Sequence, residues 1–125
     1  MLKDAQVLIV DDYHNMLHII RSCLKQIEIT DVREATDGQA AFKLINQYKF
    51  DLVISDWNME PMSGLELLAA VRRHPYCKTL PFILVTATND QSQIERAIRA
   101  GVSDYIVKPF SADTINRKVK SLLGY

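Results

Sequence analysis

Five residues of this 125-residue sequence have side chains suited to handling a phosphoryl group: Asp11, Asp12 and Asp56 as carboxylates, Lys108 as a cation and Thr86 as a hydroxyl donor. Three acids sharing one pocket would repel one another. Two unit charges about 4 Å apart cost roughly 4 kcal/mol at an effective dielectric of 20. That corresponds to about three pKa units, so without help one acid would take up a proton. A hard divalent cation relieves the repulsion, and an all-oxygen set lacking His and Cys favours Mg2+ over zinc. Mg2+ shares its shell with substrate phosphate, a lysine offers a point charge to a phosphoryl oxygen, and a threonine hydroxyl offers a hydrogen bond. These parts match phosphoryl transfer to a carboxylate nucleophile.

What would bring these residues together is their place along the chain. Five apolar runs rich in branched residues predict strands: Val7-Leu8-Ile9-Val10, Val32-Arg33-Glu34-Ala35, Leu52-Val53-Ile54-Ser55, Phe82-Ile83-Leu84-Val85 and Tyr105-Ile106-Val107. Three are continuously apolar, as suits strands buried on both faces of a parallel sheet. The second carries Arg33 and Glu34 and reads as an edge strand. Asp11-Asp12 follow the first strand, Asp56 closes the third, Thr86 the fourth and Lys108 the fifth. In open parallel sheets, ligands bind beyond the carboxyl ends of the strands.

Helical periodicity fills the gaps between the strands. The stripes are Ile20, Leu24 and Ile27; Ala41, Leu44, Ile45 and Tyr48; Leu65, Leu68 and Val71; Ile94, Ala97 and Ile98; and Ile115, Val119 and Leu122. Asp37, Asp90 and Ser111 stand where N-caps belong, and Gly101 fits a helix stop. The strict alternation predicts an α/β fold with a parallel sheet, helices on both faces and right-handed crossovers. No repeat, low-complexity stretch or long linker interrupts it, so one domain over 1–125 is expected.

Composition adds limits. Lys+Arg and Asp+Glu both number 15, so no global charge points to nucleic acid or a membrane surface. Met1-Leu2-Lys3-Asp4-Ala5 lacks a secretory apolar stretch, and no apolar run approaches the ~18 residues of a membrane span. Cys23 and Cys77 form no CxxC pair. A cytoplasmic protein with reduced thiols is expected.

Each residue also has a plainer reading. Asp11 and Asp12 alone would serve as helix caps, Asp56 as a turn residue, Thr86 as an ordinary strand end and Lys108 as a solvated lysine. Their coincidence at four strand ends is what favours chemistry. His14 and His18, at i and i+4, lack an HExxH pattern and read as a solvated or partly packed face. Trp57 reads as a packing neighbour of the site. Arg72-Arg73-His74 and Arg117-Lys118-Lys120 read as solvated faces too small for nucleic-acid binding.

Val10-Asp11-Asp12, Ser55-Asp56-Trp57-Asn58-Met59, Val85-Thr86-Ala87 and Val107-Lys108-Pro109-Phe110 resemble the signature of response-regulator receiver domains. The resemblance extends over essentially the whole chain, through Ser63-Gly64-Leu65-Glu66-Leu67-Leu68 and Ala100-Gly101-Val102-Ser103-Asp104-Tyr105, and is nearest to the single-domain chemotaxis regulators. It implies a doubly wound five-stranded parallel sheet in the flavodoxin-like order 2-1-3-4-5. It also implies phosphorylation of Asp56 by a histidine kinase or phosphotransfer protein. Mg2+ would be held by Asp12, Asp56 and the main-chain carbonyl of Asn58, with Asp11 reaching it through water. Lys108 would pair with a phosphoryl oxygen and Thr86 would move toward it. Tyr105 would rotate inward and remodel the face of the fourth helix, fifth strand and fifth helix. A cis Lys108-Pro109 bond is expected.

The resemblance thus implies a signalling protein rather than an enzyme, a stand-alone monomer without an output domain, acting on a protein partner. A flagellar motor switch is the first candidate; a phosphorelay shuttle or phosphate sink is the alternative. Two positions depart from the family pattern. Glu60 stands where proline is usual, with Pro61 after it, and Thr88 stands where the chemotaxis regulators carry an acid. Glu60 keeps open a phosphorylation-independent interaction module. An aspartyl phosphatase is disfavoured because Asn58 cannot serve as its general acid. A flavodoxin is disfavoured because Asp11-Asp12 would repel a bound phosphate.

Overall fold

The structure is a computed structural model that describes residues 2–125; Met1, the first residue of the N-terminal stretch read above, lies outside them. Strands β1 (Gln6–Val10), β2 (Asp31–Ala35), β3 (Leu52–Asp56), β4 (Phe82–Thr86) and β5 (Asp104–Val107) alternate with helices α1 (His14–Lys25), α2 (Gly38–Gln47), α3 (Gly64–Arg73), α4 (Gln91–Ala100) and α5 (Ala112–Leu123). The strands form one parallel sheet in the order β2-β1-β3-β4-β5. This is the sheet order expected above. The second strand is indeed an edge, with Arg33 and Glu34 exposed.

Continuous apolar runs suit the inner strands because successive side chains point to opposite faces, and both faces are covered. Val7, Ile9, Leu52, Ile54, Ile83 and Val85 pack on one face with Leu17, Ile20 and Leu24 of α1 and Ile115 and Val119 of α5. Leu8, Val10, Val53, Phe82 and Leu84 pack on the other with Ala41, Leu67, Leu68, Val71 and Ala97 of α2, α3 and α4. Each fully buried Val, Leu, Ile or Phe among these contributes about 1.5–3 kcal/mol relative to exposure.

The caps explain where the helices begin. Asp37, Asp90 and Ser111 accept hydrogen bonds from the amides of Ala40, Ser92 and Thr114. Ser63 and Glu66 add a reciprocal capping box at α3. Gly101 ends α4 in the left-handed region at φ 93°.

Three expectations are corrected. Ile98 does not join the core stripe of α4 but is 61% exposed, and Ala97 is the one buried residue of that helix. Tyr48 caps the end of α2, half outside the core, with the Arg33 guanidinium 3.8 Å from its ring centre. Arg72 departs from the solvated face read for Arg72-Arg73-His74. Its guanidinium donates to the carbonyls of Gly101 (2.9 Å), Lys78 (3.1 Å) and Leu80 (2.6 Å). The solvated-face reading fails because the C-terminal end of α3 abuts these loops, whose carbonyls need donors.

Candidate functional site

Parallel pairing decides which side chains share the carboxyl edge of the sheet. Val10 pairs with Ala35 and Ser55, Asp56 with Val85, and Thr86 with Val107. By this register Asp11 leaves its strand level with Asp56, Thr86 lies one position further along and Lys108 two, all at the carboxyl edge. The loop after β1 is held at both ends: the Asp11 amide donates to Ala35 O, and Asp11 Oδ1 accepts the Tyr13 N–H at 3.0 Å. Asp11 thus does steady the entry to α1, as its plainer reading required. Its second oxygen is left for other work.

Asp11, Asp12 and Asp56 each offer an oxygen within 4.8 Å of the others. Asp11 and Asp56 are buried, whereas Asp12 is exposed. Lys108 Nζ lies 3.0 Å from Asp56 Oδ1 and 4.0 Å from Asp11 Oδ2. The backbone sets this reach, because the Lys108 amide donates to Thr86 O at 2.7 Å. Lys108-Pro109 is cis, as expected; Glu60-Pro61 is cis as well.

One ammonium against three carboxylates leaves the pocket net negative. Burial, and next the neighbouring Asp56 charge, push the Asp11 carboxyl up to about 6; the Tyr13 amide and Lys108 pull the other way. Asp11 Oδ2 is buried without a hydrogen-bond partner. An orphaned buried carboxylate oxygen costs about 1–3 kcal/mol or more when charged. That oxygen, the close acid trio and the absence of nitrogen or sulfur donors fit a hard divalent cation such as Mg2+. Among the described residues, no other group of three His, Cys, Asp or Glu side chains comes together in this way. His14 and His18 lie exposed on α1, outside it.

The remaining residues singled out from the sequence are placed less centrally. Asn58 is exposed in the loop two residues beyond Asp56. Thr86 is buried, and its Oγ1 accepts the Thr88 N–H at 3.2 Å. Tyr105 lies outside the acid cluster, half-buried on β5 with Lys118 Nζ 5.5 Å from its ring centre. Lys118 also bonds Asp104 at 2.9 Å, so it is not the free surface cation expected of its cluster. Trp57 is buried in the core behind Asp56, its amide donating to Val85 O.

Gly64 was not reached by chemical reasoning. A Cβ there would run into the Asp56 carbonyl, and the Gly64 amide donates to Trp57 O at 2.9 Å. The start of α3 therefore presses directly on the backbone of Asp56, and only glycine fits so close. A cleft of about 920 Å3 opens at the opposite edge of the sheet, near Phe50, Tyr76, Pro81 and Leu123; none of the proposed site residues lines it.

Comparison with known proteins identifies the family. Residues 7–120 match the family described as the response regulator receiver domain. The chain is 40% identical to the chemotaxis protein CheY of Pseudomonas aeruginosa over 94% of each sequence. It is 38% identical to CheY-3 of Vibrio cholerae, covering 96% of this chain and 92% of the relative. The solved chemotaxis response regulator CheY4 of Vibrio cholerae superposes with a TM-score of 0.88 at 29% identity, covering 95% of this chain and 98% of that one.

Proposed function

Because the chain belongs to the response-regulator receiver family, we propose that it accepts a phosphoryl group on Asp56 from a histidine kinase or phosphotransfer protein. The observation that carries this reading is the Lys108 ammonium 3.0 Å from Asp56 Oδ1 within a cluster of three carboxylates. A buried nucleophile paired with a cation, beside acids suited to a metal, is the equipment that phosphoryl transfer requires.

In the step itself, an Asp56 carboxylate oxygen attacks phosphorus. The O–P bond forms as the donor's P–N bond breaks, and the electron pair leaves on the donor's imidazole nitrogen. Lys108 holds the growing negative charge on a phosphoryl oxygen, and the Thr86 hydroxyl donates to another. Asp11, Asp12, Asp56 and the Asn58 carbonyl would hold Mg2+, which supplies charge neutralisation for the acids and the phosphoryl oxygens. The acyl phosphate is later hydrolysed, so the product is a conformation that lasts only as long as the phosphate does.

The output is a surface made by α4, β5 and α5, switched through Thr86 and Tyr105 and read by a protein partner in the cytoplasm. Similarity to chemotaxis proteins at 38–40% identity supports chemotaxis as the pathway, with a flagellar motor switch as the partner. The receiver acts as a monomer. Borohydride reduction of acetyl-phosphate-treated protein tests the acceptor: an acyl phosphate on Asp56 is converted to homoserine at that position. Conversion at another residue, or none, would overturn the assignment.

A further inference from the structure

Thr88 stands in the middle of an unbroken series of short hydrogen bonds. Its amide donates to Thr86 Oγ1 at 3.2 Å, and its own Oγ1 accepts the Asp90 N–H at 3.0 Å. Asp90 Oδ1 in turn accepts the Ser92 N–H at 3.1 Å. Every step spans two residues, so the side-chain oxygens of alternate residues carry the backbone from the end of β4 into the first turn of α4. A hydroxyl accepts and donates at once. Thr86 Oγ1 can therefore hold the Thr88 amide while turning its proton toward a phosphoryl group on Asp56. If that oxygen moves, the Thr88 amide must follow it or lose the bond.

Helix α4 is built to respond to such a pull. Ala97 is its one buried residue, and Ile98 stands 61% exposed. Its C-terminal end is fixed by Arg72, which bonds Gly101 O at 2.9 Å and reaches Leu80 O and Lys78 O from the same guanidinium. The N-terminal end has the three side-chain turns. One end is pinned and the other is tethered, through Thr88, to Thr86 at the end of β4.

Resting on the reading of Asp56 as acceptor and Thr86 as its hydroxyl donor, we propose that Thr88 is a positioning residue whose hydroxyl transmits the state of Thr86 to the N-terminal turn of α4. Thr88→Val keeps the shape of the side chain and removes the transmitting oxygen. Thr88→Ser restores it.

The test uses the full chain with Mg2+ and saturating beryllofluoride as the phosphoryl probe. Occupancy is read by fluorine NMR and amide exchange is followed at Asp90 and Ser92. Loss of one hydrogen bond should make the Asp90 amide of unliganded Thr88→Val exchange about fivefold faster. Beryllofluoride should change exchange at Asp90 and Ser92 in the wild type, fail to do so in Thr88→Val at full occupancy, and do so again in Thr88→Ser. A Thr88→Val protein that is occupied and responds like the wild type overturns the relay alone, as does loss of the response in both variants. A wild type that binds no beryllofluoride overturns the reading of Asp56, and the relay falls with it.

Discussion

Lys108 Nζ lies 3.0 Å from Asp56 Oδ1, although 52 positions separate the two residues in the sequence. The contact exists because β5 ends beside β4 and β4 beside β3, with the Lys108 amide bonded to Thr86 O. A single ammonium is thereby set between Asp56 and the buried Asp11.

Replacing Lys108 by Met should remove the charge that steadies the transferring phosphoryl group while keeping the length of the side chain. Oxyanion-stabilising groups are worth about 10²-fold or more in rate, so phosphorylation by acetyl phosphate should slow by about that factor. Lys108→Arg should recover only part of it, because the planar fork does not reproduce a point charge. Stopped-flow quenching of Trp57 fluorescence, with the mass of the product as a control, measures both rates.

Asp11 should make the metal-free protein less stable as pH rises. Its carboxyl, about 6 when folded against 3.8 ordinarily, binds a proton more tightly in the native state. The native advantage is therefore full below pH 4 and is withdrawn between about pH 4 and 6. At about 1.4 kcal/mol per unit, the loss reaches about 3 kcal/mol. In urea titrations without metal, Asp11→Asn should gain stability relative to the wild type across that window. Millimolar Mg2+ at pH 7 should raise the wild-type midpoint more than that of the variant. Equal pH profiles for the two proteins would contradict the assignment of burial and charge at Asp11.

Gly64→Ala should strain the site from behind. The added Cβ meets the Asp56 carbonyl, which belongs to a central strand and cannot retreat cheaply. Overpacking of this kind costs about 1–3 kcal/mol. Acyl phosphate formation should fall as well, since the nucleophile's own backbone is displaced. A variant with wild-type thermal stability and labelling would show that α3 can shift freely.

Arg72→Ala should cost about 1.5–3 kcal/mol, because the part-buried Leu80 carbonyl and the exposed Gly101 and Lys78 carbonyls lose a charged donor. Labelling of Asp56 should survive, as Arg72 touches none of the acid cluster. Amide exchange at Gly101 and Val102 should quicken most. Thermal unfolding and exchange measurements check the two halves of this expectation.

Much of this was legible from local pattern. Val7–Val10 and Phe82–Val85 announce buried strands by unbroken branched residues, and Asp37, Asp90 and Ser111 announce helix starts by cap chemistry. Asp11, Asp12, Asp56, Thr86 and Lys108 were visible because strand ends in a parallel sheet share one edge. What stayed hidden depends on contacts between elements. Ile98 fits the helical period, yet α4 turns it to solvent and buries only Ala97 fully, with Ala100 partly covered. Arg72 looks solvated until the loops carrying Leu80 and Gly101 fold over it. The Ser63–Glu66 box was readable as S-x-x-E and was passed over. The closeness of Gly64 to Asp56 has no local signal, because it arises from the return of α3 against β3.

The central claim is that Asp56 is a metal-assisted phosphoacceptor. The most direct measurement is the intact mass after incubation with acetyl phosphate, with Mg2+ or with EDTA, for the wild type and Asp56→Asn. The account predicts a gain of one phosphoryl group in the wild type with Mg2+, and none with EDTA or in the variant. Undiminished gain in Asp56→Asn, or no gain in the wild type under any divalent metal, would contradict it.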